Sequence, residues 1–373
     1  MPKVIHQLVH TLSYGDAISG EVLALQRCFR SLGFESEIFS INAHPKLKAH
    51  ARDYREFIST GGENFAGSII LHYSLGSPLN AIYRALGEAS RYLIHHNLTP
   101  PHWFEGVNPR IVEELKAGLQ ELPELCALST GLIADSAYNA GEIEGLGFQA
   151  QVLELPIDPK RWEIPSNPGI ASILRSEPGL HLLHVGRLAP NKMIEDVIKT
   201  FYFLHHHIRN DSRLWLVGID IDTELYSFAL KSLVYELNLS HAVNFVGCLD
   251  DSEVKALYEN GSVYICMSEH EGFCLPVVEA MRFGMPVVAY ASSALPDTLG
   301  KSAALVSEKR HAEIAELIER ISKDGELRQR MVAAGRERVR QLSFERFEGE
   351  VQRLFCSAPS RAQSHPPEMA ASQ

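Results

Sequence analysis

Two glutamates, Glu271 and Glu279, flank the predicted start of a helix in the second half of the sequence. The apolar run at residues 263–267 predicts a strand before them. Pro276 suits the first helical turn, because its missing N–H is not needed there. The free backbone N–H groups at residues 272–277 could then bind an anion such as a phosphate. The alternative is structural, since acidic residues near a helix start also interact favourably with the helix dipole.

Two cations follow an earlier strand of the same half. The run at residues 181–186 predicts a strand that ends at Gly186 and Arg187, and Lys192 lies near the start of the next predicted helix. Together these side chains could hold a diphosphate, with the guanidinium of Arg187 as a planar fork and the ammonium of Lys192 as a point charge. An ordinary exposed loop with solvated charges is the alternative.

Polar residues also end predicted strands in the first half. Gly15 and Asp16 follow the first strand, and the carboxylate of Asp16 could orient a substrate hydroxyl or could cap the helix predicted after it. His95 and His96 end another strand. Because neighbouring residues of a strand point to opposite faces, only one of the two can face a ligand. His72 is a further candidate, and purely structural histidines are the alternative.

The composition is that of an acidic globular protein. Of the 373 residues, 45% are apolar and 22% are charged, and the formal net charge is −11. Such a chain is a poor non-specific nucleic-acid binder. Six scattered cysteines without a C-x-x-C pair are typical of reduced thiols in a cytosolic protein. With no signal-peptide pattern and no apolar run of about 18 residues, we expect a cytoplasmic location.

Short apolar runs alternate with longer amphipathic segments, which predicts an α/β protein with parallel sheets. Four prolines within residues 156–168 indicate a linker between two domains. We therefore expect the following parts: a Rossmann-like domain at residues 1–160, a second one at 161–342, a helix at 343–356 that returns to the first domain, and a disordered tail at 357–373.

In combination, these motifs resemble the donor site of the family 4 retaining glycosyltransferases, also called glycosyl transferases group 1. The resemblance rests first on Gly186-Arg187 and Lys192, followed some eighty residues later by Glu271 and Glu279. Further similar segments extend it to roughly residues 1–355: Gly15-Asp16 and residues 92–97, 244–249 and 284–289.

The resemblance implies the GT-B fold, in which two Rossmann-like α/β domains face each other across a cleft. It also implies a retaining, metal-independent hexosyltransferase without a cofactor. Such an enzyme would move a sugar from a nucleoside-diphosphate sugar to a hydroxyl of a glycan or lipid-linked glycan, in cell-surface polysaccharide synthesis. Two alternatives remain open: a sugar phosphorylase or nucleotide-sugar epimerase of the same architecture, and a non-catalytic nucleotide-sugar-binding subunit.

A role for each motif residue follows from the resemblance. Glu279 would bind the ribose hydroxyls and Glu271 the donor-sugar hydroxyls, while Arg187 and Lys192 would neutralise the diphosphate. The implied donor-binding residues are Gly15, Gly186, Arg187, Lys192, Val246, Leu249, Glu271, Gly272, Phe273, Cys274, Leu275 and Glu279. The implied catalytic residues are Arg187, Lys192, Glu271, His96 and Asp16.

In the first half, the resemblance favours His96 over His95. The family pattern at this strand end is a histidine followed by a short polar residue and then a threonine, which matches His96, Asn97 and Thr99. Asp16 stands where the family more often has a second glycine. The resemblance is therefore weaker here than in the second half.

Two basic clusters remain. Histidines at residues 205–207 point in different directions on a helix, so we expect a solvated helix end and no metal site. Lys46, Lys48 and Arg52 could meet an anionic membrane or could form an ordinary solvated helix face. The predicted partners are a nucleotide-sugar donor and a glycan or lipid-linked acceptor, with no nucleic acid, and peripheral membrane contact stays open.

Overall fold

The computed structural model describes residues 3–177 and 179–356, which divide into two compact units. Unit 1 contains the chain up to Leu98, Glu113–Pro156 and residues 345–356, and unit 2 contains Thr99–Val112 and Ile157–Phe344. The sequence-based boundaries place residues 99–112 in the first domain, whereas the structure assigns them to unit 2. Contacts such as the hydrogen bond from Nδ2 of Asn108 to the carbonyl of Asp222, at 3.0 Å, account for this difference. The predicted disordered tail lies outside the described residues.

A seven-stranded parallel sheet forms the centre of unit 1, in the order β3-β2-β1-β4-β5-β6-β7. Its strands are β1 (Ile5–Leu12), β2 (Ile38–Ala43), β3 (Ala51–Asp53), β4 (Ser68–Tyr73), β5 (Ser90–His95), β6 (Gly131–Ala134) and β7 (Gln151–Val152). Its helices are α1 (Ala17–Ser31), α2 (Tyr54–Ser59), α3 (Pro78–Ala85), α5 (Ala137–Gly145), most of α4 (Pro109–Leu128) and all but the first residue of α14 (Phe344–Cys356). The strand order reverses between β1 and β4.

Helices cover this sheet with apolar faces. Val22, Leu25 and Phe29 recur at helical spacing along α1, and all three are fully buried. The helix α14 adds an aromatic contact, because the ring centroid of Phe355 lies 5.1 Å from that of Phe29 and 4.9 Å from that of Tyr92. Unit 1 is therefore completed by a helix from the end of the described chain.

Unit 2 repeats this architecture with a six-stranded parallel sheet, in the order β10-β9-β8-β11-β12-β13. Its strands are β8 (His181–Val185), β9 (Arg213–Val217), β10 (Val243–Gly247), β11 (Val263–Cys266), β12 (Val287–Tyr290) and β13 (Ala304–Val306). Its helices are α6 (Pro168–Ser176), α7 (Ile194–Phe203), α8 (Glu224–Glu236), α9 (Asp251–Asn260), α10 (Leu275–Arg282), α11 (Leu295–Leu299), α12 (His311–Lys323) and α13 (Gly325–Gln341). Its strand order reverses between β8 and β11.

The predicted α/β class with two Rossmann-like sheets is confirmed. The predicted linker prolines, however, include the start of a helix that the sequence did not reveal. Asn167 caps α6 by accepting at Oδ1 from the N–H groups of Gly169 and Ile170, and Pro168 lies in the first turn. A proline cluster can therefore start an element as well as interrupt one.

The histidine cluster also differs from its prediction. Residues Leu204–Ile208 form a π-helical turn after α7, and His205 is buried instead of solvated. Its Nδ1 lies 3.1 Å from Oγ of Ser212, and its Nε2 lies 3.1 Å from Nε2 of His241. The three neighbouring histidines thus have separate environments, as their helical spacing implies.

Two of the three basic residues considered for membrane contact have partners within the protein. Arg52 pairs with Glu56 at 2.8 Å, and the ammonium of Lys46 lies 4.1 Å from the ring centroid of Tyr14. Within the described residues, no helix combines the length and the apolar character needed to cross a bilayer.

Candidate functional site

The candidate site of unit 2 lies where the order of its sheet reverses. Gly186 and Arg187 directly follow β8, and the loop at residues 267–274 follows the neighbouring strand β11. In open parallel sheets, such a switch point leaves a crevice at the carboxyl ends of the strands, where ligands bind. The two motifs found in the sequence therefore meet at one edge of the sheet.

Lys192 and Glu271 form an ion pair in this crevice. Nζ of Lys192 lies 2.6 Å from Oε2 of Glu271, whose side chain is only 6% exposed. Asn191 holds the two loops together. Its Nδ2 donates to the carbonyl of His270 at 2.9 Å, and its carbonyl accepts from the N–H of Glu269 at 3.0 Å. The structure thus brings two of the predicted site residues into direct contact.

The charges of this pair are mutually stabilised. Burial lowers the pKa of Lys192, but the attraction of Glu271 outweighs it and raises this pKa to about 12. Burial raises the pKa of Glu271, but the attraction and hydrogen bond of Lys192 lower it below its ordinary value. Both groups are therefore charged at neutral pH, so a ligand meets a preformed ammonium and carboxylate.

His184, on β8, lies beside this pair, and its local sequence indicates no role for it. Burial lowers its pKa to about 4, so its ring is neutral. Its Nδ1 donates to the carbonyl of Ile265 at 3.0 Å, which leaves Nε2 as an acceptor. Within the described residues Nε2 has no hydrogen-bond partner, and a β-carbon added to Gly186 would lie 3.7 Å from it.

Arg187 makes a different contact from Lys192. Its Nη2 donates to the carbonyl of Ile221 at 2.8 Å, in the loop after β9. The backbone beneath it is fixed by a close approach, because a β-carbon on Gly218 would lie 1.8 Å from the carbonyl oxygen of Gly186. Only glycine fits at residue 218, and this packing sets the direction of the chain that carries Arg187.

Two carboxylates near Arg187, Asp220 and Asp222, have a spacing that can suit a divalent metal. Asp222 pairs with Arg110 at 2.8 Å, and Asp220 lies 3.9 Å from Nζ of Lys231. Each of the two carboxylates thus has a cation of the protein nearby.

The loop before α10 is held in one conformation. The N–H of Glu271 donates to Oγ of Ser293 at 2.8 Å, and Oγ1 of Thr298 donates to the carbonyl of Phe273 at 2.7 Å. Cys274 directly precedes the helix with φ 69° and ψ 64°, a left-handed conformation that is uncommon for a residue with a β-carbon. The first N–H groups of α10 therefore form a fixed anion-binding end. Four residues predicted to bind the donor through this segment lie on the loop and the first turn: Gly272, Phe273, Cys274 and Leu275.

Two thiols lie beside the carboxylate of Glu271. One ligand atom from each of Cys266, Glu271 and Cys274 lies within 4.8 Å of the others. The hydrogen bond from Cys274 lowers the pKa of the Cys266 thiol, and the same hydrogen bond raises that of Cys274. Cys266 is therefore the more acidic thiol of the pair.

Glu279 belongs to a second buried network, on α10. Its Oε1 lies 2.5 Å from Nη1 of Arg161, and its Oε2 accepts from the hydroxyl of Tyr258 at 2.9 Å. Arg161 also pairs with Asp251 at 2.9 Å. Both oxygens of Glu279 are thus oriented by donors of the protein. Glu279 as a whole residue is only 3% exposed. Its partners differ from those of the ion pair between Lys192 and Glu271.

The remaining predicted donor contacts lie on the edge strand. Val246 belongs to β10 and Leu249 follows it, and both are half-buried. β9 and β8 separate β10 from β11, so at 4.8 Å per strand the two strand ends lie roughly 14 Å apart. These residues could therefore contact only a part of a ligand that is distant from Glu271.

In unit 1, Asp16 is the N-cap of α1. Its Oδ2 accepts from the N–H and from the hydroxyl of Ser19, both at 2.9 Å. Gly15 has φ 77°, a left-handed conformation that glycine adopts at little cost. The structure shows the capping role of Asp16, and its action on a substrate hydroxyl stays a prediction.

His95 and His96 lie on opposite sides of the sheet, as their spacing predicts. Nε2 of His95 lies 2.8 Å from Oε2 of Glu142 on α5. Nε2 of His96 lies 2.8 Å from Nδ1 of His72, and its Nδ1 lies 3.1 Å from Oδ2 of Asp135. Both ring nitrogens of His96 are engaged and its side chain is fully buried, so the ring presents no free nitrogen to a ligand here.

These histidines form a buried charged cluster with Glu21, which lies 3.5 Å from Nδ1 of His96. Burial lowers the pKa of His96, but the attraction of Asp135 and Glu21 outweighs it and raises this pKa to about 9. Burial raises the pKa of Glu21 to about 8 against the attraction of His96. Burial also lowers the pKa of His72 well below its ordinary value. At neutral pH a charged His96 therefore pairs with Asp135.

Sequence reasoning missed several residues of these networks. Asp135 follows β6 at the same level of the sheet as His96 follows β5, since His95 pairs with Ala134. That shared register was a usable signal. Arg161, in contrast, lies in the predicted linker, and nothing in its local sequence indicates a contact with Glu279.

Comparison with known proteins agrees with the motif of unit 2. Residues 170–338 match the family of Glycosyl transferases group 1. The chain is 35% identical over 112 residues to an uncharacterized glycosyltransferase of Haemophilus influenzae, with 30% of each chain covered. It is 27% identical over 166 residues to the O-antigen chain mannosyltransferase B of Escherichia coli, covering 44% of this chain and 42% of that protein. The aligned segments span less than half the length of these relatives.

Similarity of fold extends over both units. Anabaena Alr3699/HepE in complex with UDP and glucose matches with a TM-score of 0.77 and 16% identity, over 95% of this chain and all of that chain. This similarity confirms the predicted GT-B fold. Residues 170–338 thus match the family of Glycosyl transferases group 1, within a chain of GT-B fold.

Proposed function

We propose that the protein is a retaining glycosyltransferase that moves a sugar from a nucleoside-diphosphate sugar to a hydroxyl group of an acceptor. The observation that carries the proposal is the pairing of Lys192 with Glu271 beside the fixed start of α10. The family match covers the same residues. The complex of HepE with UDP and glucose supports a nucleotide-sugar donor.

The donor would bind through charges that the fold already holds in place. The ammonium of Lys192 and the first N–H groups of α10 favour a diphosphate. Arg187 would supply a second cation after it releases the carbonyl of Ile221, a hydrogen bond worth about 1 kcal/mol. Glu271 would accept hydrogen bonds from the sugar hydroxyls, and Glu279 from those of the ribose.

The chemical step depends on the leaving group. Negative charge develops on the nucleoside diphosphate as the glycosidic bond breaks, and fixed cations and amide dipoles aimed at that charge lower the barrier. We propose a front-face reaction in which the acceptor oxygen bonds to the anomeric carbon on the side from which the diphosphate leaves. A diphosphate oxygen takes the acceptor proton. Glu271 and Glu279 therefore bind the donor and do not act as the carboxylate pair of a glycoside hydrolase.

This proposal requires neither a metal ion nor a cofactor, because Lys192 and Arg187 neutralise the diphosphate. For unit 1, His96 and Asp16 are proposed to act near the donor sugar and the acceptor hydroxyl. The acceptor is proposed to be a glycan or lipid-linked glycan of cell-surface polysaccharide synthesis, which the similarity to the O-antigen mannosyltransferase supports. The free cysteines support a cytoplasmic location.

A binding screen tests the donor site. UDP, GDP, ADP and CMP, with their sugars, would be titrated by calorimetry into the wild type and the Glu279→Ala variant. We expect selective binding of one nucleoside diphosphate. A hydrogen bond to a charged group contributes about 1.5–3 kcal/mol, so the variant should bind it about 10- to 100-fold more weakly.

Glu269→Ala is the matched control. Glu269 lies in the same loop, but its side chain is 37% exposed and pairs with Lys309 at 2.7 Å. Its replacement should leave the nucleotide affinity unchanged. Absence of binding by every nucleotide would refute the donor site. Release of sugar phosphate on addition of inorganic phosphate, or conversion of the donor without an acceptor, would instead favour a phosphorylase or an epimerase.

A further inference from the structure

Three side chains that could bind a metal ion meet at the end of β11. In the proposed reaction only one of these side chains, that of Glu271, contacts the donor. One ligand atom from each of Cys266, Glu271 and Cys274 lies within 4.8 Å of the others. Cys266 and Glu271 are buried, and Cys274 is half-buried. We infer that these three side chains form a binding site for a soft divalent cation such as Zn²⁺.

The ligand set suits this ion. Thiolate sulfur and carboxylate oxygen are both zinc ligands, with bond lengths near 2.3 Å and 2.0–2.2 Å, and tetrahedral geometry then separates the ligand atoms by about 3.4–3.8 Å. The observed spread of up to 4.8 Å therefore needs only small side-chain rotations to close. Three protein ligands leave a fourth position open to water or to a bound molecule.

The charge balance also suits a divalent cation. Two thiolates and the carboxylate of Glu271 carry three negative charges, which one divalent ion and the ammonium of Lys192 neutralise. Lys192 contacts Oε2 of Glu271 at 2.6 Å, so the other carboxylate oxygen can face the ion. A hydrogen-bonded partner of this kind orients a metal-ligating carboxylate.

The backbone fixes the position of the Cys274 side chain. Cys274 has φ 69°, a conformation in which glycine is the usual residue. Glycine would satisfy this turn, but only a side chain at this position places a thiol beside Glu271. Ser293 and Thr298 fix the loop on which two of the three ligands lie. The site is therefore built on a rigid segment.

Binding of the ion has a consequence that rests on the proposed function. If Glu271 holds the donor sugar, a metal ion that ligates Glu271 competes with the donor. Each thiol gives up its proton to solvent when it ligates the ion, so binding strengthens as the pH rises. Zn²⁺ would thus act as an inhibitor of donor binding at this site and not as a cofactor of the reaction.

Cadmium titration tests the site directly. Cd²⁺ would be added to the reduced, chelator-treated full-length protein, and the cadmium–thiolate absorption in the ultraviolet would be recorded. We expect saturation at one equivalent. Cys266→Ser and Cys274→Gly should each weaken binding by at least about 100-fold, since even the loss of an outer-shell partner costs 10- to 100-fold. Cys248→Ser is the matched control, because Cys248 is an exposed free cysteine outside the site.

The outcomes separate the metal site from the proposed function. Absence of the absorption at one equivalent, or its persistence in both site variants, would overturn the inference. Cys274→Gly is the safer variant, because glycine accepts the backbone conformation, and thermal unfolding would show that it folds. If Cd²⁺ binds as expected but does not compete with a bound nucleotide sugar, the assigned role of Glu271 in donor binding fails while the metal site stands.

Discussion

Replacing Lys192 by methionine tests whether the ion pair with Glu271 stabilises unit 2. Removal of one partner from a buried ion pair costs about 3–5 kcal/mol, because the other charge stays buried without compensation. Glu271 is 6% exposed and Lys192 is 22% exposed, so water screens part of this cost. We therefore expect Lys192→Met to lower the free energy of unfolding by about 2–3 kcal/mol at neutral pH. Urea denaturation measures this loss.

The same pair predicts how the loss varies with pH. The pKa of Glu271 is lowered below its ordinary value of 4.5, so its contribution to stability is present above that value and lost as the pH falls through the folded pKa. The pKa of Lys192 is raised to about 12, so its contribution is present below its ordinary 10.5 and lost as the pH rises through 12. The difference between wild type and variant should therefore shrink below pH 4.5.

Lys199→Met is the matched control. Lys199 pairs with Asp196 at 3.2 Å, but its side chain is 44% exposed and Asp196 keeps a second partner in Lys309 at 2.9 Å. We expect this change to cost less than about 0.5 kcal/mol. Equal losses in the two variants, or a Lys192→Met loss that does not depend on pH, would refute the reasoning.

Three further changes test other parts of the molecule. Asp135→Asn should lower the pKa of His96 from about 9, which an NMR titration would measure. The stability that comes from this raised pKa is present below pH 6.5 and is lost as the pH rises through 9. An unchanged pKa in the variant would contradict the pairing of His96 with Asp135. Cys274→Val should lower the free energy of unfolding by about 1–3 kcal/mol, because a β-branched residue is strained at φ 69°, whereas Cys274→Gly should not; equal losses would contradict this. Phe355→Ala should cost about 1–3 kcal/mol in urea denaturation through lost contacts with Phe29 and Tyr92, and an unchanged stability would show that α14 does not stabilise unit 1.

Much of the fold was predictable, because apolar periodicity reports burial directly. The alternation of short apolar runs with amphipathic segments predicted parallel sheets, and the strands of both sheets pair in parallel. Two short strands were not predicted, because β3 and β13 have only three residues each, too few to show a period. They pair at or near sheet edges, where tertiary contacts and not local sequence decide their conformation.

The candidate site was predictable where its residues lie in one motif. Lys192 and Glu271 were identified from spacing and resemblance, and the structure joins them. The partners of Glu279 were not predictable, since Arg161 lies 118 positions earlier in the chain. The cluster around His96 likewise joins residues of separate elements. Such contacts depend on the assembled sheet, which no local pattern encodes.

The path of the chain through the two units has a consequence for synthesis on the ribosome. Unit 1 begins to form first, but its helix α14 is encoded after residues 157–344, a stretch of 188 residues. At 5–20 residues per second, translation of that stretch takes about 10–40 s. During that time the rest of unit 1 has been synthesised, but Phe29 and Tyr92 lack their contacts with Phe355 of α14. The interval exceeds the folding time of most single domains, so the nascent first unit is the form most exposed to chaperones and to aggregation.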